Sequence, residues 1–259
     1  MTAPRQPIVS ADNPALVAVR KLLAQPTAYR KAGQLWLEGD HLLRAALQRG
    51  WTLGHLLVDA AQEHHGPLQP LLHAAQRVSV VDSRIWKALS TLDSPPPLGA
   101  LVALPSATAV QAGLPSVVLD RLQDAGNVGS ILRSAAALGV AQVVALKGTA
   151  ALWSPKVLRA GMGAHFALHL VEAAGLDDLE VLKLPLVATS SHGGVLLPKA
   201  DLPLPCAWVF GHEGQGVCDG LLARCQVRVM IPQPGGEESL NVAAAAAICL
   251  YESARRQGQ

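Results

Sequence analysis

The stretch SVVLDRLQDAGNVGSILRSAAALGVAQVVAL, residues 116–146, decides the fold. SVVLD is a short apolar run without polar alternation, the pattern of a strand buried on both faces. A polar, glycine-bearing turn follows. NVGSILRSAAALG then reads as a helix and AQVVAL as a second buried strand. A strand, a helix and a second buried strand in this order form a crossover unit, so the two strands run parallel.

Working outward, the same grammar continues in both directions. Toward the C-terminus, LPLVAT (184–189), CAWVF (206–210) and QVRVMI (226–231) read as further buried strands. Between them SPKVLRAGMG (154–163) reads as a helix, with Ser154 as N-cap and Pro155 in the first position. A last helix from about Leu240 to Arg255 contains five consecutive alanines, small enough for its backbone to pack closely on its neighbours. Toward the N-terminus, Asp12 or Asn13 can cap a helix through ALVAVRKLLAQ with Pro14 in its first turn. Strands at QLWLE, LGHLLVD, RVSVV and LGALVAL then alternate with helices at DHLLRAALQRG, LQPLLHAAQ and 82–89. LPSATAVQAGLP (104–115) has neither periodicity and carries Pro, Gly, Ser and Thr. The expected organisation is therefore two α/β domains, 1–105 and 113–259, joined by a linker at 106–112.

Composition narrows the function classes. The chain has 259 residues, half of them hydrophobic, which is enough for one large core or two ordinary ones. No apolar run reaches the roughly 18 residues of a membrane span, and MTAPRQPIVSADNP has no signal-type apolar region, so the expectation is a cytoplasmic protein. Cys206, Cys218, Cys225 and Cys249 form no C-x-x-C pair and are expected to be buried, reduced thiols. The nine histidines show no H-E-x-x-H, and no metal is expected. The net charge of +2 is small, but residues 1–112 hold 10 Lys and Arg against 7 Asp and Glu, and residues 113–259 hold 11 against 12. The basic excess lies in the first half, a weak hint of phosphate contact there.

Three polar, glycine-bearing clusters follow apolar strands in the second half: DRLQDAGNVGSILRSA (120–135), GHEGQG (211–216) and IPQPGGEESLNVAAA (231–245). In open parallel sheets, ligands sit at the carboxyl ends of strands, so three such loops can converge on one site. In the first, Asn127 begins a helix and is either its N-cap or a ligand contact. Arg133 lies under two turns further on, where it is either a solvated arginine or a contact to phosphate or ribose. In the second, Gly211, Gly214 and Gly216 let the backbone turn sharply and approach a flat ligand, and Glu213 offers a carboxylate at the mouth. In the third, Pro232, Pro234, Gly235 and Gly236 form an irregular loop leading into Ser239, Leu240 and Asn241, where Ser239 is either a helix cap or a site residue. Nucleotide fingerprints fail: D-A-G-N-V-G is incomplete, no G-K-[ST] occurs, and no G-x-S-x-G elbow is present.

As a set and in this order, the clusters resemble the motifs of the SpoU (TrmH-type) RNA 2′-O-ribose methyltransferases of the SPOUT superfamily, over residues 113–259. Asn127, Gly129 and Arg133 match the first motif, Gly211, Glu213 and Gly216 the second, and Ile231, Pro232, Ser239, Leu240, Asn241 and Val242 the third. SPKVLRAGMGAHF resembles the intervening segment, with Arg159 and Gly163 at familiar positions. RKAGQLWLEGDHLLRAAL, centred on Glu38-Gly39, resembles the L30e-like substrate-binding domain of many members, which points to ribosomal RNA. One departure is visible: Ala125 follows Asp124 where the family commonly has proline.

The resemblance implies an N-terminal L30e-like α/β domain followed by a SPOUT α/β methyltransferase domain with a C-terminal trefoil knot. It implies S-adenosylmethionine in that knot, contacted around Gly211, Gly216, Ile231 and Leu240, with Thr189 nearby. It further implies a homodimer, RNA as partner, and no metal, because the leaving group is a neutral thioether. Transfer RNA as substrate, or a non-catalytic RNA-binding or ribosome-assembly protein of the same fold, are the alternatives. The resemblance gives the arginine matching Arg133 the role of base. Since an arginine is almost never deprotonated in proteins, its expected role is to orient the nucleotide and stabilise developing alkoxide charge. Asn127, Glu213, Ser239 and Asn241 are expected to hold the substrate or that arginine.

Overall fold

A computed structural model describes residues 5–90, 92–191, 193–235 and 239–258. The chain forms two compact units. One takes the chain up to Pro105 together with the returning segment Trp153–Phe166, and the other takes Ser106–Leu152 and everything from Ala167 onward.

In the first unit, the chain order is α1 (Pro14–Ala24), α2 (Ala28–Ala32), β1 (Gln34–Glu38), α3 (Asp40–Gln48), β2 (His55–Asp59), α4 (Gln69–Ala74), β3 (Arg77–Val81), α5 (Ser83–Leu89) and β4 (Leu98–Ala103). The first helix is capped by Asn13, whose side chain accepts from the Ala15 N–H. The sheet runs β1-β4-β2-β3, with β4 antiparallel to both neighbours and β2 parallel to β3. Trp36 of β1 covers Gly99 of β4, where a Cβ would come within 2.3 Å of the indole. The residue at 99 must therefore be glycine.

The chain passes from the first unit to the second at Pro105–Ser106, and residues 153–166, which lie within the expected second domain 113–259, pack with the first unit. Trp153 and Phe166 close on Trp51, with ring centroids 5.7 and 4.9 Å away. Gly163 comes so close to Ala45 that an added Cβ would lie 2.6 Å from that methyl. The Arg159 guanidinium pairs with the buried Glu38 carboxylate at 3.2 Å, and Ser90 Oγ donates to the other Glu38 oxygen at 2.6 Å. A buried carboxylate needs such partners, so Arg159 fixes this excursion of the chain.

The second unit contains β5 (Ser116–Asp120), α6 (Ala125–Ala137), β6 (Gln142–Leu146), β7 (His169–Ala174), β8 (Leu186–Thr189), β9 (Val195–Leu196), β10 (Ala207–Gly211), α8 (Asp219–Leu222), β11 (Val227–Met230) and α9 (Val242–Gln257). Helix α7 (Pro155–Gly161), capped by Ser154, belongs to the excursion. All seven strands are parallel, in the order β7-β6-β5-β10-β8-β11-β9. Every residue of β5, β6 and β10 is buried, which accounts for their unbroken apolar runs. Strands β7 and β9 fall outside the sequence reading. In β7, HLVEAA carries His169 and Glu172 at the sheet edge, and its register breaks opposite Val144 and Leu146, so neither an apolar run nor an alternation survives. Only two residues form β9.

The core around the central strands gathers Val118, Val144, Ala188 and Val209 with Leu182 and Leu221. Helix α9 packs against α6 and β10, and Trp208 Nε1 of β10 donates to Ser253 Oγ of α9 at 2.8 Å. Burial pushes the thiols of Cys206 and Cys249 up to about 12. Cys218 and Cys225 are half-buried, not fully buried as expected. No helix among the described residues is long and apolar enough to cross a membrane.

Because β5, β10, β8 and β11 are adjacent and parallel, the turns after Asp120, Gly211, Thr189 and Met230 all leave the same sheet edge. That edge gathers the three clusters.

Candidate active site

The site is built from three loops that exchange side-chain bonds. Helix α6 begins two residues earlier than the sequence suggests. Its N-cap is Asp124, whose carboxylate accepts from the Asn127 N–H at 2.7 Å. The capping role considered for Asn127 thus belongs to Asp124, and the Asn127 side chain is free for other contacts. Its Nδ2 donates to Glu213 Oε1 at 3.2 Å, and its Oδ1 accepts from Asn241 Nδ2 at 2.9 Å.

Asn241 in turn is the N-cap of α9, its Oδ1 accepting from the N–H groups of Ala243 and Ala244 at 2.9 and 3.3 Å. The capping role considered for Ser239 is therefore corrected to Asn241, two residues on, which has the right backbone conformation and oxygen. This cap also fixes both amides. With its Oδ1 held by the helix, Asn241 presents only its NH2 to Asn127, which must answer with its oxygen and turn its own NH2 to Glu213.

Glu213 receives three donors from the first loop: Asn127 Nδ2, the Asp124 N–H at 3.3 Å and the Gln123 N–H at 3.4 Å. Partial burial works to raise its carboxyl, but its own N–H and these three donors outweigh that and hold it below the ordinary carboxylate value. It is a fixed anion joining the loops.

The glycine loop that carries it closes on itself. His212 and Gly216 exchange backbone bonds of 3.0 and 2.8 Å, and the Gly214 and Gln215 N–H groups donate to His212 Nδ1 at 3.0 and 3.3 Å. Nδ1 is therefore the accepting nitrogen of the ring in this arrangement. Gly211 is required by contact, since a Cβ there would lie 2.2 Å from Gly216 C and Val217 N. Gly216 is required by its φ of +67°.

A second tie lies beside the first, among residues that the sequence reading did not select. Asp120, the last residue of β5 and the register partner of Gly211, is buried. Its Oδ1 accepts from Arg121 Nε at 2.9 Å, and its Oδ2 accepts from the Cys218 N–H at 2.7 Å and Arg121 Nη2 at 3.4 Å. Arg121 Nη1 reaches Gln215 Oε1 at 3.1 Å. The hydrogen bond and charge of Asp120 raise the guanidinium above its already high value, so it is always cationic. Arg121 also has a left-handed backbone, φ +60°, held by its N–H to Thr149 Oγ1 at 3.1 Å. For a residue with a side chain this conformation costs about 1 kcal/mol. An acid ending a parallel strand was a readable signal. The conformation of Arg121 was not.

The remaining sequence candidates lie on the elements that carry this network or end at the same sheet edge. Arg133 is exposed on α6 and has no hydrogen-bond or ion-pair partner among the described residues. Thr189 ends β8 with its hydroxyl on the Val209 carbonyl at 3.3 Å. Ile231 is half-buried just past β11, while Gly216, Ser239 and Leu240 are exposed. Among the described residues, no hydrogen bond joins Arg133, Ser239, Ile231 or Leu240 to the Glu213–Asn127–Asn241 set. Gly236 lies outside the described residues. No cluster of three His, Cys, Asp or Glu suited to a metal ion occurs among the described residues.

A fixed carboxylate and bare glycine backbone at the carboxyl edge of a parallel sheet, with an exposed guanidinium on the helix that leaves that edge, suit a ligand with a flat group and polar oxygens. Comparisons with known proteins agree. The model of the SpoU rRNA Methylase family matches residues 115–251. An uncharacterized tRNA/rRNA methyltransferase of Synechocystis is 35% identical, covering 96% of this chain and 94% of its own. The 23S rRNA (guanosine(2553)-2′-O)-methyltransferase of Bacillus subtilis is 29% identical over 85% of this chain and 88% of its own. Among solved structures, the SpoU methyltransferase AviRb from Streptomyces viridochromogenes, in complex with AdoMet, superposes with a TM-score of 0.87 at 27% identity. It covers 95% of this chain and 99% of that one. With its three motif loops bonded into one site and more than half its length matched, this chain belongs to the SpoU rRNA methylase family.

Proposed function

We propose that this chain methylates the 2′-hydroxyl of a ribose in ribosomal RNA, using S-adenosylmethionine. The observation that carries the proposal is the Glu213–Asn127–Asn241 network, which ties the glycine loop and the start of α9 to α6, the helix that carries the exposed cation Arg133. The residues fit the cofactor: the Gly211 cradle leaves no room for a side chain, and half-buried Ile231 and exposed Leu240 offer apolar surface to a flat purine. Gly216 and Thr189 complete that side of the site.

When bound, the cofactor supplies an electrophilic methyl carried by a sulfonium. Transfer of that methyl would require the 2′-oxygen to be held in line with it and its proton to pass to water. Arg133 donates N–H bonds to the 2′-oxygen and stabilises the negative charge that grows there. Asn127, held between Glu213 and Asn241, keeps the first turn of α6 and thus Arg133 in place, and exposed Ser239 contacts the nucleotide.

Further features of the proposal rest on the fold. Strand β10 enters the sheet between β5 and β8, and β11 between β8 and β9, an order that supports a threaded C-terminal trefoil knot. The small mixed sheet of the first unit supports an L30e-like RNA-binding domain. A homodimer is supported by the outward face of α9, where Ile248 and Tyr251 stand 41% and 59% exposed. A cytoplasmic location is part of the same proposal, supported by the bacterial rRNA methyltransferase relatives.

The test is methyl incorporation from labelled S-adenosylmethionine into unmodified ribosomal RNA. Arg133→Ala is expected to lower kcat about 100-fold or more with the fold retained. Near wild-type turnover in the variant would remove Arg133 from the chemistry. Failure of the wild-type protein to bind S-adenosylmethionine in calorimetry would favour a non-catalytic RNA-binding protein of the same fold.

A further inference from the structure

We infer that Arg121 is a second RNA contact of this site, a guanidinium built to take a backbone phosphate of the strand being methylated. The inference rests on the proposed RNA substrate. Arg121 is held from three directions. Asp120 grips the guanidinium edge through Nε and Nη2, Gln215 of the glycine loop takes Nη1, and Thr149 takes the backbone N–H. Gly148, at φ +93°, cradles the stem, since a Cβ there would stand 3.2 Å from Arg121 Cγ.

A side chain needed only to neutralise Asp120 would not require this backbone. The carboxylate already receives the Cys218 N–H, and an arginine with an ordinary φ could reach it from another loop. A left-handed conformation retained at a non-glycine residue points instead to the placement of the side chain. Of the five N–H donors, three are engaged. The other two, on Nη1 and Nη2, belong to a side chain one-third exposed at the mouth of the site. With one N–H left on each terminal nitrogen, the guanidinium can still donate to phosphate oxygens.

The position is apt for the strand carrying the target ribose. Arg121 directly follows Asp120, which pairs in register with Gly211, and precedes Gln123, whose N–H holds Glu213. It therefore flanks the loops that present Asn127 and Arg133, on the side of the loop after β6. Asp120 orients the guanidinium while its own charge stays buried.

The test compares wild type with Arg121→Gly and Arg121→Lys. Glycine suits the left-handed backbone, so Arg121→Gly removes the guanidinium while relieving the strain. Filter binding to unmodified 23S ribosomal RNA transcript across a salt series is measured beside calorimetric binding of S-adenosylhomocysteine. The expected result for Arg121→Gly is about tenfold weaker RNA binding, a salt dependence shallower by about one counterion, and unchanged S-adenosylhomocysteine affinity. Arg121→Lys should keep the salt slope and lose part of the affinity. Unchanged RNA affinity and slope in both variants would overturn the inference. Equal loss of RNA and S-adenosylhomocysteine binding would also overturn it, by showing that Arg121 only shapes the loop. If Arg121→Gly does not fold, Arg121→Lys alone decides, with wild-type RNA affinity counting against the inference. Wild-type protein that binds neither probe would instead sink the methyltransferase reading.

Discussion

Glu213 keeps its charge because four donors surround it, and this ties the site to pH with a definite sign. Its folded-state value lies below the ordinary carboxylate value of about 4.3. The stabilisation from its bonds is thus fully present above that value and is lost as pH falls through the lower folded value. Carbon-detected NMR of the Glu213 carboxyl should show a midpoint below that of an unfolded peptide, with the Asn127 amide resonances moving in step. A midpoint at or above the peptide value would contradict the network. The residue types of this site were legible: Asn127, Glu213 and Asn241 stand in the sequence as polar islands between apolar strands. Their partners were not, because which amide faces which carboxylate depends on loops 86 and 114 residues apart. The tie between Asp120 and Arg121 is hidden for a related reason. An acid ending a buried strand is visible in the sequence, but the left-handed arginine after it looks like an ordinary polar turn until the neighbouring loops are present.

At the scale of elements, the two helices at the site handle capping and bonding differently. Asp124 caps α6 and leaves Asn127 free, so their substitutions should separate stability from activity. Asp124→Ala is expected to cost about 1 kcal/mol, roughly 3 °C in Tm by calorimetry. Asn127→Ala should leave α6 capped and reduce methyl transfer more than it reduces Tm. The opposite ranking would return the cap to Asn127. Asn241 does both jobs, capping α9 and holding Asn127, so its substitution cannot separate them. The apolar runs that became β5, β6 and β10 could be read because burial on both faces demands them. Edge strand β7 could not, since its His169 and Glu172 obey no period, and β9 is too short to have one.

For the whole molecule, the outward face of α9 is expected to be covered by a second copy. Tyr251→Glu would place a charge in that face. Light scattering should then show the mass of one chain where the wild type shows two. A wild type that is already monomeric would remove the dimer from the proposal. The division into units teaches a separate lesson. Residues 153–166 follow β6 in sequence yet pack with the first unit, through Trp51 and the buried Glu38–Arg159 pair. A boundary read from linker composition cannot foresee this, because an excursion is set by distant partners and leaves no mark on local periodicity. The sequence alone determined that this is an α/β protein with a parallel sheet in its second half, and that polar loops meet at the strand ends, because buried parallel strands need unbroken apolar runs and crossover helices. The strand order, the excursion, the bonding of Glu213 to Asn127 and Asn241, and the setting of Arg121 were decided only by tertiary structure. Each of these is a contact between segments whose local sequences are compatible with many partners, and only the folded chain selects one.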